Sequence, residues 1–150
     1  MSNVKKVRVL LTGGGTGGHI YPLIAVSRKL REIASKNGQG VELKYFGPKN
    51  IFSFYLLGEE IPIKQITSSK IRRYFSFLNF LDGPRFAWSI GQAIFKVFWF
   101  MPDVAFSKGG PGALPVIWAC QFYRIPVVIH ESDSAPGIAN QISSRYAKII

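Results

Sequence analysis

Acidic residues are scarce in this chain. Its 150 residues hold eight Asp and Glu against nineteen Lys and Arg, a formal charge of +11. That balance excludes an acidic solvating segment and points to an anionic partner: phosphate groups, nucleic acid or a membrane surface. Cysteine is nearly absent. Cys120 stands alone, so no internal disulfide and no Cys-based zinc site can form, and a reducing compartment is expected. Long apolar runs are missing too. Val9, Leu10 and Leu11 follow Lys5, Lys6 and Arg8 but stop at Thr12, short of the roughly 7 apolar residues of a secretory signal. No stretch reaches the roughly 18 apolar residues of a membrane-spanning helix. The nearest, residues 86–101, is broken by Ser89, Gln92 and Lys96. The expectation is a cytoplasmic chain that meets a membrane only at its surface.

What is present suits one α/β domain. Hydrophobic residues make up 47% and charged residues 18%, and the length suffices for a core without staples. Residues 7–12 read as a buried strand closed by glycine. Pro22 suits the first turn of a helix, in which Leu23, Val26, Leu30 and Ile33 share a face until Asn37-Gly38 ends it. Residues 41–46 read as a second strand. The second half repeats the pattern: strand 104–107, helix 114–123, strand 125–130, helix 138–146, and a further strand from 147 within which the chain stops. Alternating strands and helices predict a parallel sheet with flanking helices. Between the halves, residues 64–101 are rich in aromatics and bases, and their pattern names no element.

Residues 13–18 hold five glycines and lie between a strand and a helix. Such a loop presents backbone N–H groups, and the helix dipole adds positive potential, so it is an anion site. The Walker A reading fails because His19 stands where lysine is required. A nicotinamide fingerprint is met formally by Gly13, Gly15 and Gly18, but the second strand ends in Phe46-Gly47-Pro48 with no acid to hold a ribose. His19 sits at the helix N-terminus, where the dipole disfavours imidazolium and leaves the ring available as a base. The bland alternative is a histidine that packs on the sheet edge. Lys108-Gly109-Gly110 follows another strand and forms a candidate second phosphate nest; alone it reads equally as a turn.

Together these pieces resemble the MurG-type glycosyltransferases. The run from Gly13 through Thr16, His19 and Pro22 is similar to the family's first signature. Phe106-Ser107-Lys108-Gly109-Gly110 with Pro115 is similar to its second loop. Ile129-His130-Glu131-Ser132-Asp133, then Pro136-Gly137-Ile138-Ala139-Asn140, is similar to its third. The resemblance implies a Rossmann-like sheet, the N-terminal half of a two-domain GT-B transferase, with residues 1–150 as an incomplete acceptor-binding domain and the UDP-sugar-binding domain absent. It implies inverting transfer of N-acetylglucosamine from UDP-GlcNAc to the C4 hydroxyl of lipid I, giving lipid II, with no cofactor and no metal, and little activity for these residues alone.

The same resemblance gives roles to matching positions. His19 would be the catalytic base. Thr16, Gly17 and Gly18 would touch the donor sugar. Gly14, Gly15, Lys108, Gly109 and Gly110 would hold the acceptor diphosphate, and Glu131 and Asn140 would line the cleft. Asp133 stands where many members have Asn; a carboxylate only accepts when ionised, which makes it a second candidate base. Pro111 and Ala113 replace an aromatic residue and a serine common in the second loop.

A lipid-linked acceptor stays in the bilayer, so the enzyme must come to it. Residues 64–108 carry a local surplus of +5, and bases interleaved with aromatics suit an anionic inner-membrane surface. Lys70, Arg72, Arg73, Tyr74, Phe75 and Phe77 are the expected membrane face. Phe95, Phe98 and Trp99 are expected in the core. Two other functions stay open: a related transferase acting on another lipid acceptor such as diacylglycerol, and a non-catalytic membrane-recruiting subunit of a split transferase. Nucleic acid is not expected, because no recognition helix or RNA-binding signature accompanies the charge.

Overall fold

Val9 and Leu11 of β1 (Lys6–Thr12) turn to one side of the sheet and Leu10 to the other, and all three are buried. A strand buried on both faces reads as a continuous apolar run and belongs in a parallel sheet covered on both sides. The computed structural model describes residues 6–67, 78–131, 138–145 and 147–149, with backbone alone for 78–82 and 138–139. The element order after β1 is α1 (Gly17–Lys36), β2 (Gly40–Gly47), α2 (Tyr55–Gly58), β3 (Ile63–Gln65), α3 (Leu78–Phe100), β4 (Val104–Ser107), α4 (Leu114–Phe122), β5 (Val127–Ile129) and α5 (Ile138–Ser144). The five strands are all parallel, in the order β3-β2-β1-β4-β5. This is the Rossmann-like sheet that the sequence predicts.

Two apolar clusters cover the sheet. Ile20, Leu23 and Ile24 of α1 and Leu56 of α2 pack with Val9, Leu11, Leu43 and Tyr45. On the other face Ala93, Val97 and Phe100 of α3 and Val116, Ile117 and Cys120 of α4 pack with Leu10, Phe46, Ala105 and Val127. Gly38, at φ +63, ends α1 as expected: its left-handed backbone lets Gln39 N–H bond back to the Ala34 carbonyl at 2.8 Å.

Several boundaries differ from expectation. Pro22 lies inside α1 rather than in its first turn, because the glycines Gly17 and Gly18 are themselves helical. The fifth strand starts after Pro126, which has no N–H for the ladder. Of the expected strand at 147–150, the described residues 147–149 make one bridge, between Val128 and Ile149. The largest difference is at 64–101, where β3 and the 23-residue helix α3 stand. Phe95, Phe98 and Trp99 are not core residues: they are 63%, 54% and 72% exposed. Their period puts Ala93, Val97 and Phe100 inward instead. No helix among the described residues is long and apolar enough to cross a membrane.

Candidate active site

The chain runs from β1 outward through β2 to β3, then crosses to β4 and β5 on the other side. The reversal lies between β1 and β4. Open α/β sheets bind ligands at this switch point, outside the carboxyl ends of the strands. Thr12 and Ser107 are register partners, so β1 and β4 end level and their two glycine loops leave the sheet side by side.

The loops touch. Gly110 has φ +89, and a Cβ there would lie 2.9 Å from the Gly14 Cα and 3.1 Å from His19 Nε2. A Cβ on Gly14 would in turn lie 3.0 Å from His19 Nδ1. Only glycine at both positions lets the backbones close on the imidazole. Gly109, at φ +85, is packed as tightly against Asn140, where a Cβ would lie 2.1 Å from Oδ1. Gly109 N–H donates to Ser107 Oγ at 3.0 Å, which folds the second loop back on its strand.

Thr16 is the N-cap of α1 by backbone conformation, and its carbonyl accepts from His19 N–H at 3.0 Å and Ile20 N–H at 3.1 Å. Its hydroxyl makes no cap bond. It lies 2.6 Å from His19 Nδ1 instead. Which atom donates depends on the tautomer. With Nδ1–H donating to Thr16, the Nε2 lone pair faces the loop carrying Gly110. Lys108 is only 4% exposed; its N–H donates to the Thr12 carbonyl at 3.0 Å and its Cβ lies close to Gly13. Thr16 and Gly18 are exposed, and Gly15 and Gly17 half-buried.

On the β5 side, Asn140 of α5 is buried and its Nδ2 donates to Glu131 Oε2 at 2.6 Å. That pair ties the loop after β5 to α5 and seats it on Gly109. Asn140 Oδ1 and Thr12 Oγ1 are buried without a hydrogen-bond partner among the described residues. Buried orphan acceptors cost about 1–3 kcal/mol each, and both stand where the glycine loops meet the sheet. The structure thus brings Gly14, Gly15, Thr16, Gly17, Gly18, His19, Lys108, Gly109, Gly110, Glu131 and Asn140 to one sheet edge. Asp133, Lys70, Arg72, Arg73, Tyr74, Phe75 and Phe77 lie outside the described residues.

Sequence reasoning missed the support of the first loop. Asn50 Nδ2 donates to the Gly15 carbonyl at 2.6 Å, while Asn50 Oδ1 accepts from Phe52 and Ser53 N–H, each at 3.0 Å. An Asn three residues before a Ser, just after Gly-Pro, is an Asx-turn signal that was available. Tyr45 is fully buried and donates from its hydroxyl to the Gly13 carbonyl at 3.2 Å; burial pushes that phenol well above its ordinary range. Pro48 packs on Gly112, where a Cβ would lie 2.7 Å from its Cδ. The loop after β2 therefore braces both glycine loops.

The glycosyltransferase family 28 N-terminal domain matches residues 9–150. The UDP-N-acetylglucosamine--N-acetylmuramyl-(pentapeptide) pyrophosphoryl-undecaprenol N-acetylglucosamine transferase of Clostridium perfringens is 42% identical over 144 residues, 95% of this chain and 39% of that protein. The transferase of the same name from Legionella pneumophila is 40% identical over 136 residues, 90% of this chain and 36% of that protein. This chain thus spans about two fifths of the relatives' length. Among solved structures, Acinetobacter baumannii MurG superimposes with a TM-score of 0.78 at 25% identity, over 95% of this chain and 40% of that one. The UDP-GlcNAc 2-epimerase of Methanocaldococcus jannaschii shares the fold, with a TM-score of 0.64 at 12% identity over 95% of this chain and 38% of that one. Two glycine loops closed on a histidine at the switch point, in a chain matched almost end to end, have one assignment: this chain belongs to glycosyltransferase family 28.

Proposed function

We propose that residues 1–150 are the acceptor-binding domain of an inverting N-acetylglucosaminyltransferase. It moves N-acetylglucosamine from UDP-GlcNAc to the C4 hydroxyl of the muramoyl sugar of lipid I, giving lipid II. The observation that carries the reading is the closure of Gly14 and Gly110 on the His19 ring. The names of the Clostridium and Legionella relatives supply the substrates.

In this mechanism Thr16 holds the His19 ring by its Nδ1, and Nε2 accepts the proton of the acceptor hydroxyl. The oxygen attacks the anomeric carbon of the donor sugar from the face opposite UDP. The new C–O bond forms as the bond to the UDP oxygen breaks, and UDP leaves with the electron pair. General-base catalysis of this kind supplies roughly 10²–10⁴-fold. Backbone N–H groups of Gly14, Gly15 and Gly110, with Lys108, hold the acceptor diphosphate, while Gly109, whose N–H is taken by Ser107 Oγ, shapes the second loop beneath it. Thr16, Gly17 and Gly18 meet the donor sugar, Glu131 and Asn140 line the cleft, and Asp133 is the alternative base.

The protein works at the cytoplasmic face of the inner membrane, as a peripheral protein. Lys70, Arg72, Arg73, Tyr74, Phe75 and Phe77 are assigned to its membrane face by sequence, and the exposed rings of Trp88, Phe95, Phe98, Trp99 and Phe122 give α3 and α4 a surface of the same chemistry. Amphipathic aromatics beside lysines suit a headgroup region. The test is transfer to a lipid I analogue by a chimaera that joins this chain to the C-terminal part of the Clostridium perfringens relative. Transfer that His19→Ala lowers by about a hundredfold or more supports the reading; a folded chimaera that transfers equally well without His19 contradicts it.

A further inference from the structure

Away from the glycine loops, on the α3 side of the sheet, Lys44 of β2, Lys64 of β3 and Lys96 of α3 converge on a cavity of about 360 Å³ that Phe46, Phe95, Trp99 and Phe100 complete. Three ammonium groups from three elements do not gather without cost. Lys44 Nζ is met by Glu42 at 3.0 Å and sits 4.3 Å from the centre of the Phe100 ring. Lys96 donates to the Gln65 carbonyl. Among the described residues neither Lys64 nor Lys96 has a carboxylate partner. Burial, and then the charge of Lys64, hold Lys96 below the ordinary lysine pKa. One carboxylate for three cations leaves the cavity positive, and an anion is what it lacks.

The rim says which anion. Phe95 and Trp99 stand edge to face at 6.1 Å, and both are largely exposed. Exposed Trp and Phe beside a cationic pocket suit a ligand whose phosphate lies at the border of an apolar phase. We infer that Lys44, Lys64 and Lys96 form a site for the phosphodiester of an anionic phospholipid headgroup, seated under the Phe95–Trp99 rim and separate from the cleft at His19. The inference rests on the membrane reading above and adds a defined headgroup pocket to it.

The experiment compares binding of the chain to phosphatidylcholine vesicles with and without phosphatidylglycerol. Lys64→Gln with Lys96→Gln removes two pocket charges. Lys29→Gln with Lys36→Gln removes two from α1, on the opposite face of the sheet, and serves as the charge-matched control. At about 1 kcal/mol per lysine near an anionic surface, the pocket pair should weaken binding to phosphatidylglycerol vesicles about thirtyfold. The control pair should weaken it less than about threefold, because screening within a Debye length hides distant charges. Equal losses in both pairs would overturn the pocket in favour of diffuse charge. If the unaltered chain binds phosphatidylcholine alone as tightly, the aromatic membrane face stands and the headgroup site falls. If it binds neither vesicle, the membrane reading falls and the site falls with it. A glycerol 3-phosphate arm separates the sources: soluble ester binding lost in the pocket pair, with vesicle binding unchanged, would overturn the lipid assignment.

Discussion

Thr16 Oγ1 lies 2.6 Å from His19 Nδ1, and the hydroxyl leaves the cap of α1 uncapped to make that contact. A capping Ser or Thr normally accepts from a backbone N–H of the first turn, a bond worth about 1 kcal/mol. Here that bond is given up for a side chain that the mechanism needs oriented. In the proposed mechanism this contact makes Thr16 a positioning residue for His19. In the chimaera, His19→Ala should lower kcat by roughly 10²–10⁴-fold. Thr16→Val should lower kcat by a smaller factor and move the limb of the pH profile that reports the base, while Thr16→Ser keeps both. A Thr16→Val profile with an unmoved limb would remove Thr16 from this role.

Gly110 is confined twice, by φ +89 and by Gly14 and His19 at contact distance. Gly110→Ala should cost about 2 kcal/mol or more in urea unfolding, since a left-handed residue with a Cβ costs about 1–2 kcal/mol before any clash. Gly58 in α2 has open space where its Cβ would go, so Gly58→Ala should be neutral or slightly stabilising.

Asn50 braces Gly15 from the loop after β2. Asn50→Ala removes three hydrogen bonds and should cost about 1–2 kcal/mol. Asn50→Asp keeps the acceptor for Phe52 and Ser53 but sets a carboxylate against the Gly15 carbonyl. It should therefore lower chimaera activity at least as much as alanine does.

Much of this was legible in the sequence, for a physical reason. The β1 run, the glycine loop and the Gly38 stop are local signals, and β4 and the start of α4 fell at 104 and 114, where the apolar runs put them. The helix α3 was not legible, because its outward face carries Trp88, Phe95, Phe98 and Trp99 and is as apolar as its inward one. Composition then cannot tell Val97, which is buried, from Phe98, which is not. Asn50 was missed because its partner, the Gly15 carbonyl, is 35 residues away in sequence and adjacent only once β1 and β2 pair.

Helix ends offer a stabilising change. Arg124 follows α4 at φ +56, and Ile125 N–H returns to the Cys120 carbonyl at 2.8 Å. That is the geometry in which glycine is favoured. Arg124→Gly should raise stability by about 1 kcal/mol in urea or thermal unfolding.

Cys120 is buried among α3 and α4 residues, and burial pushes its thiol up to about 12 from an unfolded value near 9.0. Below pH 9 the thiol is protonated in both states, and stability does not depend on it. Above pH 9 the unfolded chain gives up this proton while the folded chain keeps it. Stability then falls as pH rises toward 12, by at most about 1.4 kcal/mol per pH unit for this group. The buried phenol of Tyr45 adds a fall of the same sign at higher pH. In Cys120→Ala the stability lost between pH 9 and 10.5 should be smaller than in the unaltered chain. An identical slope would remove the thiol as its cause.

Acceptor binding at the two glycine loops is tested most directly by a titration of this chain followed by backbone amide resonances, with a soluble lipid I analogue in one arm and UDP-GlcNAc in the other. The acceptor analogue should shift Gly14, Gly15, Gly109 and Gly110 together with His19, and UDP-GlcNAc alone should shift them far less. Saturable shifts of those residues by UDP-GlcNAc, with none by the acceptor analogue, would contradict acceptor binding there.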